Sequence, residues 1–287
     1  MAQALLEVEK VSVHGGHSGQ FCHHASDKLE DVIRAYIDAG FSWVGITEHM
    51  APLSDVVRYP DEAESDLSAD FLLDRFRTYF RECRSLQQKY SNRIDIYSAF
   101  ETETYTGSSA FVRELVEELK PDYLVGSVHH VNGICIDYDQ ANFDEAVKGS
   151  GSLEALYQEY FDSQFEMLQD LEPSVVGHFD LIRKYDPDYL ETLGKPGVWE
   201  RIERNLDFIS ECGLILDFNL RGFDKATEQY PSMPVLEAAF ELDIDVVPGD
   251  DSHGVSSVGR NYEKGVEILK SLGASLEWQK PALIQYT

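Results

Sequence analysis

Short runs of β-branched and aromatic residues alternate along the chain with longer segments whose apolar positions recur at helical spacing, the pattern of repeated strand–helix units. Seven candidate strands fall at residues 8–14, 43–47, 94–100, 123–128, 174–177, 214–218 and 245–248. The helical stretches between them begin near Asp27, Ala69, Ser108, Ser152, Gly197, Pro234 and Val258. Punctuation agrees with periodicity: Asp27 stands ahead of Leu29, Val32, Ile33 and Tyr36, and Ala39-Gly40 offers a stop before the next strand. Ser152 opens a helical face of Leu153, Leu156, Tyr157, Tyr160 and Phe161, read as core packing rather than a ligand surface. Segments 55–70 and 132–151 read as long loops, and no linker or repeat divides the chain, so one domain over residues 1–287 is expected.

Composition narrows the possibilities. A chain of 287 residues, 43% hydrophobic, buries a sizeable core, and the repeated units point to an α/β barrel. Its longest apolar stretches, such as 123–128 and 214–218, are far too short to span a bilayer, and residues 1–10 lack the basic and apolar regions of a signal peptide. A soluble cytoplasmic protein without a membrane partner is the expectation. Cys22, Cys83, Cys135 and Cys212 are widely spaced and form no Cys-x-x-Cys pair, which reads as reduced thiols. A formal charge of −28 with no run of Lys or Arg argues against a nucleic-acid partner. The same field repels small anions, so a site for one needs concentrated positive charge, of the kind bound metal ions supply.

The histidines show where such ions belong. His14, His17, His23, His24, His49, His129, His130, His178 and His253 all follow or end a predicted strand, and none falls in a predicted helix. In a strand–helix barrel the C-terminal strand ends converge on one face. Glu48, Glu101, Glu103, Asp180 and Asp251 stand at the same level. A lone histidine is ordinarily a hydrogen-bonded loop residue; coincidence over six strand ends points instead to a metal cluster. A mixed imidazole and carboxylate set suits Zn, Mn or Fe better than Ca or Mg.

The order of short motifs now becomes informative: His14-Gly-Gly-His17, Cys22-His-His24-Ala25, Thr47-Glu-His49, Phe100-Glu101, Gly126-Ser-Val-His129, Gly177-His178-Phe-Asp180-Leu-Ile-Arg183 and Gly249-Asp-Asp251-Ser-His253. In this order the chain resembles the polymerase and histidinol phosphatase (PHP) superfamily and, within it, the PHP-type histidinol-phosphatases. The resemblance implies a distorted (β/α)7 TIM-like barrel with two or three divalent transition metals (Zn, Mn or Fe) on its C-terminal face. His14, His17, Glu101 and Asp251 would hold the first, and Glu101 would bridge to a second held by His129 and His178. His24, His49 and His253 would hold the third.

Three departures qualify that carry-over. The family's His-x-His opening is His14-Gly15-Gly16-His17 here, so a bulge is expected to absorb one residue. Either His23 or His24 could be the ligand; His24 is preferred because it precedes Ala25. The segment Asp217-Phe-Asn219-Leu-Arg221-Gly222 resembles a family Glu-x-Asn segment, but Asp224 replaces an arginine often found after the glycine. Phosphate contact is therefore assigned to Arg183, with Arg221, Lys225 and Asn219 as further substrate contacts.

The implied activity is hydrolysis of L-histidinol phosphate to L-histidinol and phosphate in histidine biosynthesis, by a hydroxide bridging two metals. Glu101, Asp251, His253 and Arg183 belong to that catalytic centre, and Asp180 either protonates the leaving alkoxide or orients His178. Glu103 or Glu48 either meets the substrate's amine or orients a neighbouring ligand, while His130 reads as structural or substrate-contacting. Two alternatives stand beside this reading: a phosphoesterase of the same fold acting on another small phosphorylated metabolite, and an inactive metal-stabilised structural or regulatory module. Against the latter, no ligand position carries an apolar residue.

Overall fold

All seven apolar runs hold strands in the computed structural model, which describes residues 8–286. In chain order these are β1 (Lys10–Ser12), β2 (Phe41–Ile46), β3 (Asp95–Ser98), β4 (Phe100–Glu101), β5 (Leu124–Gly126), β6 (His130–Val131), β7 (Ile134–Cys135), β8 (Val175–Val176), β9 (Ile215–Asn219) and β10 (Val246–Gly249). Strands β1–β2–β3 form one parallel sheet and β4–β5–β8–β9–β10 another, while β6 and β7 make an antiparallel hairpin. Helices cover the parallel strands, so β5, β8, β9 and β10 are buried along their whole length.

The ladders form two sheets and not the closed seven-unit barrel expected from the sequence. The break has a local cause, because several strands are only two or three residues long and carry few ladder bonds. Main-chain hydrogen bonds nevertheless tie the sheets together at both edges. On one side Ala99 N donates to Ile46 O at 2.9 Å, and His49 bridges Glu101. On the other, Val13 N donates to Pro248 O (2.9 Å), Asp251 N to His14 O (2.9 Å) and His17 N to Ser252 O (2.7 Å).

Helix Leu29–Asp38 buries the expected Leu29, Val32, Ile33 and Tyr36, and helix Leu153–Leu171 buries Leu156, Tyr157, Tyr160 and Phe161. Each such side chain contributes roughly 1.5–3 kcal/mol of transfer free energy. Ser68 and Ser152 accept hydrogen bonds from Phe71 N and Ala155 N, capping their helices. Asp27 does not cap: with φ at +66° its carboxylate turns to Val255 N, 2.9 Å away, and Lys28 takes the cap position. The last helix starts at Tyr262 rather than Val258, after a 3-10 turn at Val255–Ser257.

The two supposed loops also carry structure. Segment 55–70 contains a 3-10 turn (Asp55–Val57) and a helix (Pro60–Glu64), and segment 132–151 contains β7 and helix Gln140–Ser150. The latter is capped by Asp139, which accepts from Asn142 N at 2.8 Å, and it buries only Phe143 and Ala146, too few apolar positions to announce a period. Among the described residues no helix is long and apolar enough to cross a membrane.

Candidate metal centre

The C-terminal strand ends deliver their side chains to one buried cluster with Glu101, at the end of β4, in its middle. Glu101 Oε1 lies 2.7 Å from His178 Nε2 and 3.3 Å from His129 Nε2. Its Oε2 lies 3.3 Å from His49 Nδ1, 3.4 Å from His14 Nε2 and 3.8 Å from His17 Nε2. Asp251, after β10, brings Oδ1 to 3.2 Å from His17 Nε2 and 3.4 Å from His253 Nδ1. His178 and Asp251 hold φ at +22° and +43°, backbone that side-chain-bearing residues seldom adopt and that clusters at functional sites.

β1 ends at Ser12, so the segment from His14 to His17 lies beyond the strand, and the register shift of the β1–β2 ladder falls between Lys10 and Val11 rather than at the glycines. The two glycines serve a different end, close approach. A Cβ on Gly15 would fall 2.1 Å from Gly45 O, and one on Gly16 would fall 2.6 Å from Val32 Cγ1.

Around this centre stands a set of buried carboxylates and amides that orient the rings. Asp217 Oδ2 meets His14 Nδ1 at 2.8 Å, and Asn219 Nδ2 donates to Asp217 Oδ2 at 3.0 Å and to Asp251 Oδ2 at 3.2 Å. Glu103 hydrogen-bonds His129 Nδ1 (3.1 Å) and accepts from the Tyr59 hydroxyl (2.6 Å), and its carboxylate lies 3.3 Å from both His130 Nδ1 and His49 Nδ1 without a hydrogen bond to either. Glu48 accepts from Ser18 N at 2.9 Å and from its hydroxyl at 2.7 Å. Neither Glu103 nor Glu48 lines the cavity above the cluster, so neither is placed to meet a substrate amine. Sequence reasoning allowed Glu103 an orienting role but missed that of Asp217; an acid at the same strand-end level as a histidine was the available signal.

Burial and charge pull these groups in opposite directions. Burial disfavours a charged His14, but Glu101, Asp251 and Asp217 hold its pKa well above the ordinary value. Burial pushes His17 down to about 3 against the pull of Asp251, and lifts Glu48 to about 7. Burial raises Glu101 and Glu103 as well, yet His14, His49 and His129 on the first, and His129, His130 and His49 on the second, keep both well below the usual carboxylate range.

So dense a buried anionic group needs cations. His14 Nε2, both nitrogens of His17, His49 Nδ1 and His178 Nδ1 are buried without a hydrogen-bond partner. Leaving such atoms unsatisfied costs about 1–3 kcal/mol each. Potential ligand atoms gather within 4.8 Å of one another in the sets His14–His17–Glu101, Glu101–His129–His178 and His14–His178–Asp251. The donor chemistry therefore fits divalent metal ions. A fourth set joins His17, His49 and His253 to Cys22, a buried thiol that spacing alone had set aside. The His24 ring lies 5.2 Å from those of His49 and His253, whereas exposed His23 turns away to Ser65 Oγ at 3.0 Å.

A cavity of about 230 Å³ opens above the cluster, lined by Glu101, Asp251 and the rings of His24, His49, His129, His178 and His253. Its cationic walls are Lys184, Arg221 and Lys225, and Asn219 joins them. The charges of Arg221 and Lys184, with burial, lower the pKa of Lys225, a sign of concentrated positive potential. Arg221 Nη1 is 3.3 Å from Asp251 Oδ1 and contacts His253 Nδ1.

Arg183 does not reach this cavity. Its guanidinium is buried, donates to the carbonyls of Glu228 and Gln229, stacks 4.3 Å from the Tyr230 ring and faces Asp180 Oδ2 at 3.3 Å. Asp180 is likewise buried away from the cavity, its Oδ2 accepting from Ser232 N at 2.8 Å. It makes no hydrogen bond to the His178 ring, so it does not orient that ring. Asp224 points outward and pairs with Arg260 at 2.9 Å.

With this geometry in place, comparison with known proteins adds four findings. A family model described as PHP domain matches residues 15–221. A Schizosaccharomyces pombe protein named Probable histidinol-phosphatase is 37% identical over 268 residues, covering 92% of this chain and 87% of its own. The Saccharomyces cerevisiae Histidinol-phosphatase is 28% identical over 286 residues, covering 88% and 85% respectively. Among solved structures, a Lactococcus lactis histidinol phosphate phosphatase, described as complexed with zinc, L-histidinol and phosphate, superimposes with a TM-score of 0.72. That likeness spans 97% of this chain and 100% of the other at 19% identity, and concerns the fold.

Proposed function

The chain belongs to the PHP domain family, and on that premise we propose that it is a metal-dependent phosphomonoesterase that hydrolyses L-histidinol phosphate to L-histidinol and phosphate. The observation that carries the reading is the likeness to the fission-yeast histidinol-phosphatase over 92% of the chain, joined to a buried donor cluster beneath a cavity walled by Lys184, Arg221 and Lys225.

His14, His17, Glu101 and Asp251 would hold one metal, Glu101 with His129 and His178 a second, and His24, His49 and His253 a third. The close sets of donor atoms support the first two directly; for the third, His49 and His253 share a close set with His17 and Cys22, and the His24 ring lies 5.2 Å from both of theirs. Bound there, divalent ions supply Lewis acidity and an activated water nucleophile at neutral pH. The zinc in the Lactococcus lactis neighbour makes zinc the first metal to test. The hydrogen bonds between strand edges also support a barrel-like course for the seven units.

The chain's own residues do the rest. Arg221, Lys225 and Lys184 bind the phosphate oxygens and stabilise the charge that spreads over them as the P–O ester bond breaks. Asp217 fixes the tautomer and orientation of His14, and Glu103 does the same for His129. Asn219 holds Asp217 and Asp251 at a fixed separation.

Metal analysis of the purified protein, followed by steady-state rates on histidinol phosphate and a panel of small phosphomonoesters, tests the proposal. Histidinol phosphate is expected to show the highest kcat/KM. A different ester preferred by several orders of magnitude would sink the substrate assignment, and bound metal without turnover of any ester would sink the activity.

A further inference from the structure

The cavity lining carries charges of both signs. Lys184, Arg221 and Lys225 supply positive charge, and its carboxylates are Glu101, Asp251 and Asp137. Glu101 and Asp251 are taken up by histidines. Asp137 is different: no histidine nitrogen lies within 4.0 Å of its carboxylate, whose polar neighbours are the Cys135 thiol at 3.4 Å from Oδ1 and Lys184 Nζ at 3.7 Å from Oδ2. A thiol is a weak donor, so Oδ1 keeps acceptor capacity to spare.

Its position gives that capacity a use. Asp137 follows directly on the β6–β7 hairpin, the antiparallel element set among parallel sheets, and that hairpin brings it to the cavity beside Tyr59, Tyr138 and Tyr230. The hairpin is anchored from below by Ile136 N, which donates to His129 O at 2.8 Å, and by His130 against Glu103. The carboxylate therefore stands on a braced support in a cavity whose lining also includes three tyrosines.

Resting on the proposed activity, we infer that Asp137 receives the substrate's cationic ammonium group and is the residue that distinguishes amine-bearing phosphomonoesters from neutral ones. The substrate is held at two points, phosphate against the basic groups and ammonium against Asp137 Oδ1, the oxygen beside Cys135, while Lys184 Nζ lies 3.7 Å from Oδ2 and contacts the Asp137 carbonyl. Glu103 and Glu48, buried behind protein partners, have no part in that contact.

The test compares histidinol phosphate with the same imidazolyl phosphomonoester lacking the amine, on wild-type protein and on Asp137→Asn and Asp137→Glu variants, with metal content measured for each. Asp137→Asn is expected to lower kcat/KM for histidinol phosphate about 10- to 100-fold more than for the amine-free ester, chiefly through KM, the scale of one charge-assisted hydrogen bond. Asp137→Glu, which keeps the charge, is expected to recover part of the discrimination. If wild type hydrolyses histidinol phosphate but Asp137→Asn leaves the ratio between the two esters unchanged, the assignment is overturned and the activity stands. A metal-loaded wild-type protein inactive on histidinol phosphate overturns the functional reading and this inference together.

Discussion

The floor and the rim of the cavity are built by different means. Floor groups (His14, Glu101, His129, His178, Asp251) stand at or just beyond the ends of parallel strands, are almost wholly buried, and are held by several polar contacts each. Rim groups come from irregular pieces: Tyr59 before a five-residue helix, Asp137 beyond a hairpin, Lys184 on a 3-10 turn and Lys225 on a four-residue helix. A floor fixed by the sheets can carry the same chemistry under many rims, and the rim selects what that chemistry acts on.

The sharpest way to break that division is at its centre. Glu101→Gln removes the charge facing five histidines, and is expected to release metal and reduce turnover by about 10³-fold or more. Elemental analysis and kcat measured together decide it, since retention of both would show that the centre lies elsewhere. Next comes Arg183→Ala, which leaves buried Asp180 without its counter-charge and is expected to cost about 3–5 kcal/mol in urea-induced unfolding while leaving KM near wild type. A KM raised tenfold at unchanged stability would return Arg183 to the substrate.

Arg221→Ala touches the rim where phosphate is expected, so KM for phosphomonoesters should rise about 10- to 100-fold. Unchanged KM and inhibition by inorganic phosphate would remove it from that role. The smallest effect concerns the thiols. Cys83 is buried and pushed up to about 12 by that burial, so moving from pH 7 to pH 9 should leave it unlabelled by a thiol reagent. Exposed Cys212 should label faster over the same interval as its thiolate fraction grows. Equal labelling of the two by mass spectrometry would contradict the packing of helix Ala69–Lys89.

The same division explains what could be read from the chain. Strand ends are announced by β-branched runs, and the histidines and acids that follow them mark the floor before any coordinates are known. His14, His49, Glu101, His129, His178, Asp251 and His253 do meet there. Arg183 and Lys184 show the opposite case. Successive residues on a 3-10 turn point about 120° apart, so one faces the interior and its neighbour faces the cavity. No hydrophobic period runs through so short a turn to say which. The division into two sheets is equally hidden, because it depends on how few ladder bonds the two- and three-residue strands make rather than on side-chain pattern.

The hydrogen bonds between Asp251 N and His14 O and between His17 N and Ser252 O have a kinetic meaning as well. They fix the spacing of three donors through the main chain, independently of anything lodged between the side chains. A chain stripped of its ions by a chelator would keep its scaffold, so reloading is an encounter at a prepared site and not a refolding event, in contrast to small domains that exist only around their metal. Its rate should then follow passage through the cavity mouth, where the His24 ring lies across from His253.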